Sequence, residues 1–250
     1  MLCEGATAPP ALPSKKSPKS MLHYPKDYRE AVAWQEARQG EVRVEPLPRL
    51  PRWVGGADAS YDRAERRIYG AIAVYTYPAL DLVEEATLAG PCPFPYIPGL
   101  LSFREAPIIV EVWKKLNRRP DVLLVDGQGI AHPRGLGIAA HLGLLLDVPT
   151  IGVAKSRLVG EGEAPATEAG AATHLIWQDQ VVGWILRSRT GIQPLYVSPG
   201  NRVSLTDCRT ITLGCVKRYR LPEPLRRADR LSRQCRTVHQ AQKETWGGVE

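Results

Sequence analysis

Asp58, Glu105 and Asp126 are three carboxylates whose surroundings call for a chemical reason. Asp126 closes the apolar run Asp121-Val122-Leu123-Leu124-Val125-Asp126 and opens into Gly127-Gln128-Gly129. A carboxylate at the C-terminal end of a buried strand, before a glycine turn, stands where α/β sheets place their sites. Its plainer reading is a turn or helix-cap aspartate. Asp58 lies inside the small, apolar stretch Trp53 to Tyr61. A buried carboxylate is costly without a cation or hydrogen-bond donors, so a satisfied structural aspartate is the alternative there. Glu105 is read at the opening of a helix, where interaction with the helix dipole would account for it equally well. The three carry more together than singly. If the strands bearing Asp58 and Asp126 are neighbours, their carboxylates converge and repel unless a divalent cation neutralises them. Mg²⁺ prefers such oxygen ligands and keeps several waters. It can activate water, polarise a phosphate and stabilise a leaving alkoxide. That is equipment for phosphodiester hydrolysis. The chain has no GxxxxGK[ST] loop, which argues against a nucleoside triphosphatase.

His132 follows Asp126 within the same turn and is read as a proton carrier or phosphate contact. His141 falls on the next helix as a supporting residue, and both histidines have a structural alternative. Lys155 follows the strand ending at Val153, placed to meet a phosphate or developing negative charge; a solvated lysine is its plainer reading.

The elements that must position these groups follow from periodicity and punctuation. A first helix is predicted from about Lys26 to Gln39, stopped by Gly40. Trp53 to Tyr61, Arg67 to Tyr75 and Leu80 to Leu88 read as an antiparallel meander. After the Pro-rich loop Pro91 to Gly99, a helix spans Ser102 to Leu116, with Ile108, Ile109, Val112 and Leu116 at helical spacing. Then come the strand ending at Asp126, a helix over about Leu136 to Leu146, and a buried strand Pro149 to Val153. This alternation implies parallel strands with right-handed crossovers. Strands return near Val181 to Arg187 and Leu195 to Val197, and a final helix begins after Ser204. Cys208 and Cys215 are placed on its inner face. The order fits an α/β, ribonuclease H-like fold with a mixed sheet flanked by helices, although other α/β folds accept the same string.

Several blocks of this sequence resemble the endonuclease V family. They are Gly56-Ala57-Asp58-Ala59-Ser60-Tyr61, Pro95-Tyr96-Ile97-Pro98-Gly99-Leu100-Leu101-Ser102-Phe103-Arg104-Glu105, Asp126-Gly127-Gln128-Gly129-Ile130-Ala131-His132-Pro133-Arg134 and Pro149 to Leu158. They occur in the family's order, and the resemblance spans roughly Tyr28 to Arg230. It implies a ribonuclease H-like deoxyribonuclease that needs Mg²⁺, with Mn²⁺ able to substitute. Such enzymes recognise deoxyinosine and hydrolyse the second phosphodiester bond on its 3′ side, leaving a 3′-hydroxyl and a 5′-phosphate; some eukaryotic members prefer inosine in RNA. By resemblance, Asp58, Asp126 and Glu105 hold the metal, and His132 and Lys155 join them as catalytic residues with His141 in support. Pro95, Tyr96, Ile97 and Pro98 match the family's wedge: prolines stiffen a loop that carries an aromatic ring into the base stack. Gly99, Leu101, Gly127, Gln128, Ile138 and Leu158 are expected to form the pocket for the extruded base. The plainer readings are a packed Pro-rich turn and ordinary core. Asn201 stands where the family commonly has histidine, which puts any proton-transfer role at that position in doubt.

Composition sets the wider frame. The 250 residues carry a formal net charge of +7 and a pI near 9.3, which favours polyanionic partners. Between Asn201 and Gln240, ten Arg or Lys face three acidic residues. Five cysteines without CxxC spacing signal neither a zinc site nor a disulfide framework, so a reducing cytoplasm is expected. No apolar run is long enough to span a bilayer. One catalytic domain is expected over 23–230, with a disordered extension over 1–22 and a flexible basic tail over 231–250. The protein is expected to act as a monomer on damaged DNA. Inosine-containing RNA as substrate, a non-catalytic nucleic-acid-binding module and a junction-directed nuclease are the competing readings.

Overall fold

The computed structural model describes residues 25–92 and 94–246. The expected N-terminal extension lies outside them. The three early strands are β1 (Trp53–Asp62), β2 (Arg67–Thr76) and β3 (Leu82–Pro91), paired antiparallel as a meander. They are followed by α2 (Leu101–Lys115), β4 (Val122–Asp126), α3 (Ile138–Leu146) and β5 (Thr150–Ala154). The remaining elements are β6 (Ala172–Trp177), β7 (Gln180–Leu186), β8 (Leu195–Asn201), α4 (Leu205–Gly214) and α5 (Glu223–Trp246). α1 (Tyr28–Arg38) precedes them all, capped by the Asp27 carboxylate, which accepts from the Glu30 amide. One eight-stranded sheet runs β3-β2-β1-β4-β5-β8-β7-β6. Its centre, β1-β4-β5, is parallel, and the outer pairs are antiparallel. This is the mixed, helix-flanked sheet of the ribonuclease H-like class.

Period-2 side-chain alternation divides the central strands between two cores. Ala57, Leu123 and Val125 face α2 and α3 in one cluster, with Ile109, Val112 and Leu142. Val54, Leu124, Ile151 and Val153 face the other way, with Cys208, Ile211, Cys215 and Leu225. Cys208 and Cys215 do share the buried side of α4 and its C-terminal cap. A smaller cluster of Ala31, Phe94, Leu100 and Phe103 fastens α1 to the loop before α2.

The structure differs from the expectations at three places. β6 is an additional edge strand; its half-exposed residues alternate too weakly to announce a strand. Glu105 is not in the first turn of its helix, because α2 starts at Leu101, so the dipole account of this residue fails. Residues 231–246 are not a flexible tail: the chain continues unbroken from Glu223 as α5. Ala228, Leu231 and Ser232 are buried against the sheet, and Arg236 and Gln240 reach the β1–β2 turn through Tyr61 O and Asp62. Among the described residues, no helix is long and apolar enough to cross a membrane.

Candidate active site

The parallel register decides where the first two carboxylates meet. Ala57 of β1 pairs with Val125 of β4, so Asp58 and Asp126 are the next residues on adjacent strands and point to the same side of the sheet. α2 brings Glu105 to the same cavity. All three line one open cavity of about 430 Å³ with Lys155, Asp229, Arg233 and Arg236. Lys155 Nζ pairs with Asp126 Oδ2. The Ala59 amide donates to Asp58 Oδ1 at 2.8 Å.

The electrostatics of this cavity are unbalanced. Burial pushes the Asp58 carboxyl upward, and the neighbouring Asp126 and Glu105 charges push it further. Burial likewise raises Glu105 to about 8; Arg104 opposes the rise and Asp126 adds to it. For Lys155 burial alone would lower the value, but the Asp126 and Asp58 carboxylates outweigh it and raise it. One ammonium therefore does not compensate the acidic groups. Among the described residues, no three Asp, Glu, His or Cys side chains form a ready-made metal cage. Carboxylate oxygens suit a hard divalent cation, which can be held by one or two carboxylates with waters completing the shell. The donor set here, buried oxygens short of positive charge, fits such an ion.

Asp229 escaped the sequence reading because it sits inside a run of arginines. Its signal was the helical spacing Leu225, Ala228, Leu231 and Ser232, which marks α5 as amphipathic and sets Asp229, Arg233 and Arg236 on a common side. Gly56 lets α5 come this close: a Cβ there would lie 2.1 Å from the Pro224 carbonyl carbon.

A second cavity, of about 300 Å³, shares the walls Leu101, Asp126 and Lys155 with the first. Gly99, Leu101, Gly127, Gln128, Ile138 and Leu158 all line it, as do Tyr96, Pro98 and His132. Gln128 Nε2 donates to Ser156 O at 3.0 Å, tying the β4–α3 turn to the loop after β5. Tyr96 and Leu158 are exposed at 63% and 42%, unusual for residues beside an apolar hollow. The four wedge residues do not act alike. Phe94 is buried and Ile97 packs on the same cluster, so these two anchor the loop while Pro95 and Tyr96 project between them. Arg104 lies over the Tyr61 ring at 4.0 Å, with Tyr96 at 5.7 Å.

Both histidines take positions other than free proton carriers. His132 Nε2 donates to Gly99 O at 2.9 Å, and Nδ1 accepts from the Arg134 amide at 3.2 Å. The two partners require the neutral ring. Burial lowers the His132 value to about 4. His141 is buried beside Trp34 and Phe103, with centroids 4.3 and 5.2 Å away, and lines neither cavity. Asn201 lies opposite Thr150, at the far end of β5 from the carboxylates. Its amide accepts from the Arg43 amide and donates to Gly143 O, so it splices the N-terminal connector to α3. The question of proton transfer at this position therefore does not arise.

Carboxylates converged from adjacent central strands, on a ribonuclease H-like sheet, define a nuclease-type α/β protein. The family model described as Endonuclease V matches residues 36–230. The endonuclease V of Nostoc punctiforme is 45% identical over 210 residues, 84% of this chain and 95% of that protein. The crystal structure of endonuclease V from Streptomyces avermitilis superposes with a TM-score of 0.83 at 40% identity, over 87% of this chain and 96% of that one. An endonuclease V of Ciona intestinalis, solved with a 24mer DNA containing an inosine followed by a ribo-adenosine, superposes with a TM-score of 0.74 at 27% identity, over 84% of this chain and 98% of that one. The chain belongs to the endonuclease V family and is an endonuclease; nucleases of this family generally need a divalent metal.

Proposed function

We propose that the protein nicks DNA next to deoxyinosine, hydrolysing the second phosphodiester bond on the lesion's 3′ side with Mg²⁺ as its ion and Mn²⁺ as a substitute. The observation that carries this reading is the shared wall between the two cavities. Leu101, Asp126 and Lys155 border both the base-sized hollow and the acidic one. A base held in the first keeps its own strand beside the carboxylates of the second.

Each side chain then has a task. Tyr96, on a loop anchored by Phe94 and Ile97, enters the space that an extruded base vacates. Extrusion costs a few kcal/mol, and less for a weakly paired base such as hypoxanthine. The glycines at 99 and 127 let backbone approach the flipped base closely. Asp58 and Asp126, with Glu105 and Asp229 beside them, would hold the ion, which supplies an activated water and charge stabilisation at phosphorus. Lys155, which pairs with Asp126 and lines both cavities, is placed to meet a phosphate oxygen. Arg233 and Arg236 offer the neighbouring phosphates a positive rim.

A nicking assay on a duplex with one inosine tests this, with product ends mapped and matched RNA and four-way-junction substrates run alongside. The expected product carries a 5′-phosphate at the second bond 3′ to the lesion. Asp126→Ala is expected to lower the rate by about 10²–10³-fold or more while sparing lesion binding. Cleavage of the RNA alone, or of junctions regardless of inosine, would transfer the activity to another substrate. Binding without nicking in either metal would make the protein a binding module.

A further inference from the structure

α1 sends one polar side chain into the interior, and it arrives at the base-sized cavity. Gln35 is completely buried. Its Nε2 donates to Gly99 O at 3.2 Å and to Leu136 O at 3.0 Å, and its Oε1 accepts from Arg134 Nε at 2.7 Å. The two carbonyls belong to separate segments beside the hollow, the wedge loop and the approach to α3. Gly99 is itself a lining residue of the wedge loop, and Leu136 precedes the lining residues Gly137 and Ile138. Arg134 Nη2 and His132 Nε2 also donate to Gly99 O, at 2.8 and 2.9 Å. Three side chains thus converge on one carbonyl, at a glycine with a φ of +78°. Every polar atom of the Gln35 amide is engaged. A fully satisfied buried network of this kind fixes geometry, whereas a partly broken one leaves buried groups without partners.

We infer that Gln35, with Arg134, is a positioning residue that fixes the distance between these two segments beside the base cavity and so sets its selectivity for the flipped base. The family model begins to match only at residue 36, so Gln35 lies just before the matched segment. Neither side chain has to touch the base. Gln35 joins the two segments directly, and Arg134 braces both the Gln35 amide and the Gly99 carbonyl. Without the staple the wedge loop is free to move relative to the start of α3. A wider or fluctuating cavity holds a purine less firmly and distinguishes hypoxanthine from adenine less well. Nothing in this arrangement reaches the carboxylates, so the chemical step is not its target.

This inference rests on the lesion-nicking reading, and two measurements keep the failures apart. Hydrogen exchange on the full-length protein without nucleic acid reads the staple itself. In Gln35→Ala, and in Gln35→Glu, which keeps the acceptor for Arg134 but loses both donors, peptides covering 94–101 and 133–140 should exchange about tenfold faster or more, with β4 unchanged. Steady-state nicking then reads selectivity. Both variants should raise KM for the inosine oligomer about tenfold and narrow the inosine-over-adenine ratio similarly, with kcat within about twofold. Arg134→Lys should shift both readouts in the same direction by less, which covers the case of a poorly folding Gln35 variant. Unchanged exchange in these two peptides would overturn the inference, and so would a fall in kcat at constant KM. If the wild type shows no preference for inosine, the lesion reading fails, and the exchange data still decide the staple.

Discussion

Lys155 on Asp126 and the uncompensated Asp58 and Glu105 explain one another: buried acidic oxygens attract whatever positive charge the chain can provide, and one lysine is not enough. Asp58 and Asp126 were legible in the sequence because each is out of place in its own neighbourhood, one inside an apolar strand and one at a strand's end. His132 was legible as important but not in its role. That role depends on a carbonyl 33 residues away and an arginine amide, and no spacing reveals either. Its titration gives a test. Burial holds the folded value at about 4, whereas the unfolded ring titrates near 6.5. A depressed value means that the unfolded state takes up the proton first as the pH falls. The stabilisation is complete above about 6.5 and is lost progressively on the way down through 4. Between these limits the wild type should lose up to roughly 3 kcal/mol more than His132→Gln, which keeps a donor for Gly99 but cannot titrate. Urea unfolding at pH 7 and pH 4.5 checks this, and parallel pH profiles for the two proteins would contradict it.

Elements with strong periodicity were read within three residues: the meander, α2, β4, α3 and β5. The misses have a physical cause. β6 is an edge strand with one buried residue, Leu175, so there was little pattern to find. α5 buries a narrow stripe and presents arginines elsewhere, which reads as a solvated tail until a sheet is there to receive it. That helix supplies Asp229, Arg233 and Arg236, so the miss concealed a quarter of the acidic set. Gly56 is the hinge of this arrangement, and Gly56→Ala tests it. The added Cβ would meet the backbone of Pro224 and Leu225, which cannot yield as a flexible side chain would. Overpacking of this kind costs about 1–3 kcal/mol. The start of α5 should shift, lowering both the urea midpoint and the nicking rate, although no functional side chain has been altered. An unchanged midpoint would mean that the helix does not need this close approach.

Across the molecule, a net charge of +7 coexists with a cavity that gathers four acidic side chains, and basic side chains both line and surround it. Arg63 and Arg104 border a hollow beside Tyr96, and Arg233 and Arg236 border the carboxylates. Arg63 and Arg233 are exposed, as phosphate-contacting groups should be. Replacing both with alanine should reduce the slope of log affinity against log salt by about one to two. Binding titrations between low and moderate salt would show it, and an unchanged slope would place the phosphates elsewhere. The arrangement as a whole assumes that Asp58, inside β1, and Asp126, at the end of β4, share a cation. Anomalous scattering from crystals soaked in Mn²⁺ measures this directly. The account predicts a peak within coordination distance of both the Asp58 and Asp126 carboxylates, with Lys155 displaced from Asp126, and no such peak in Asp126→Ala. A fully occupied peak bound elsewhere, with Lys155 still seated on Asp126, would contradict it.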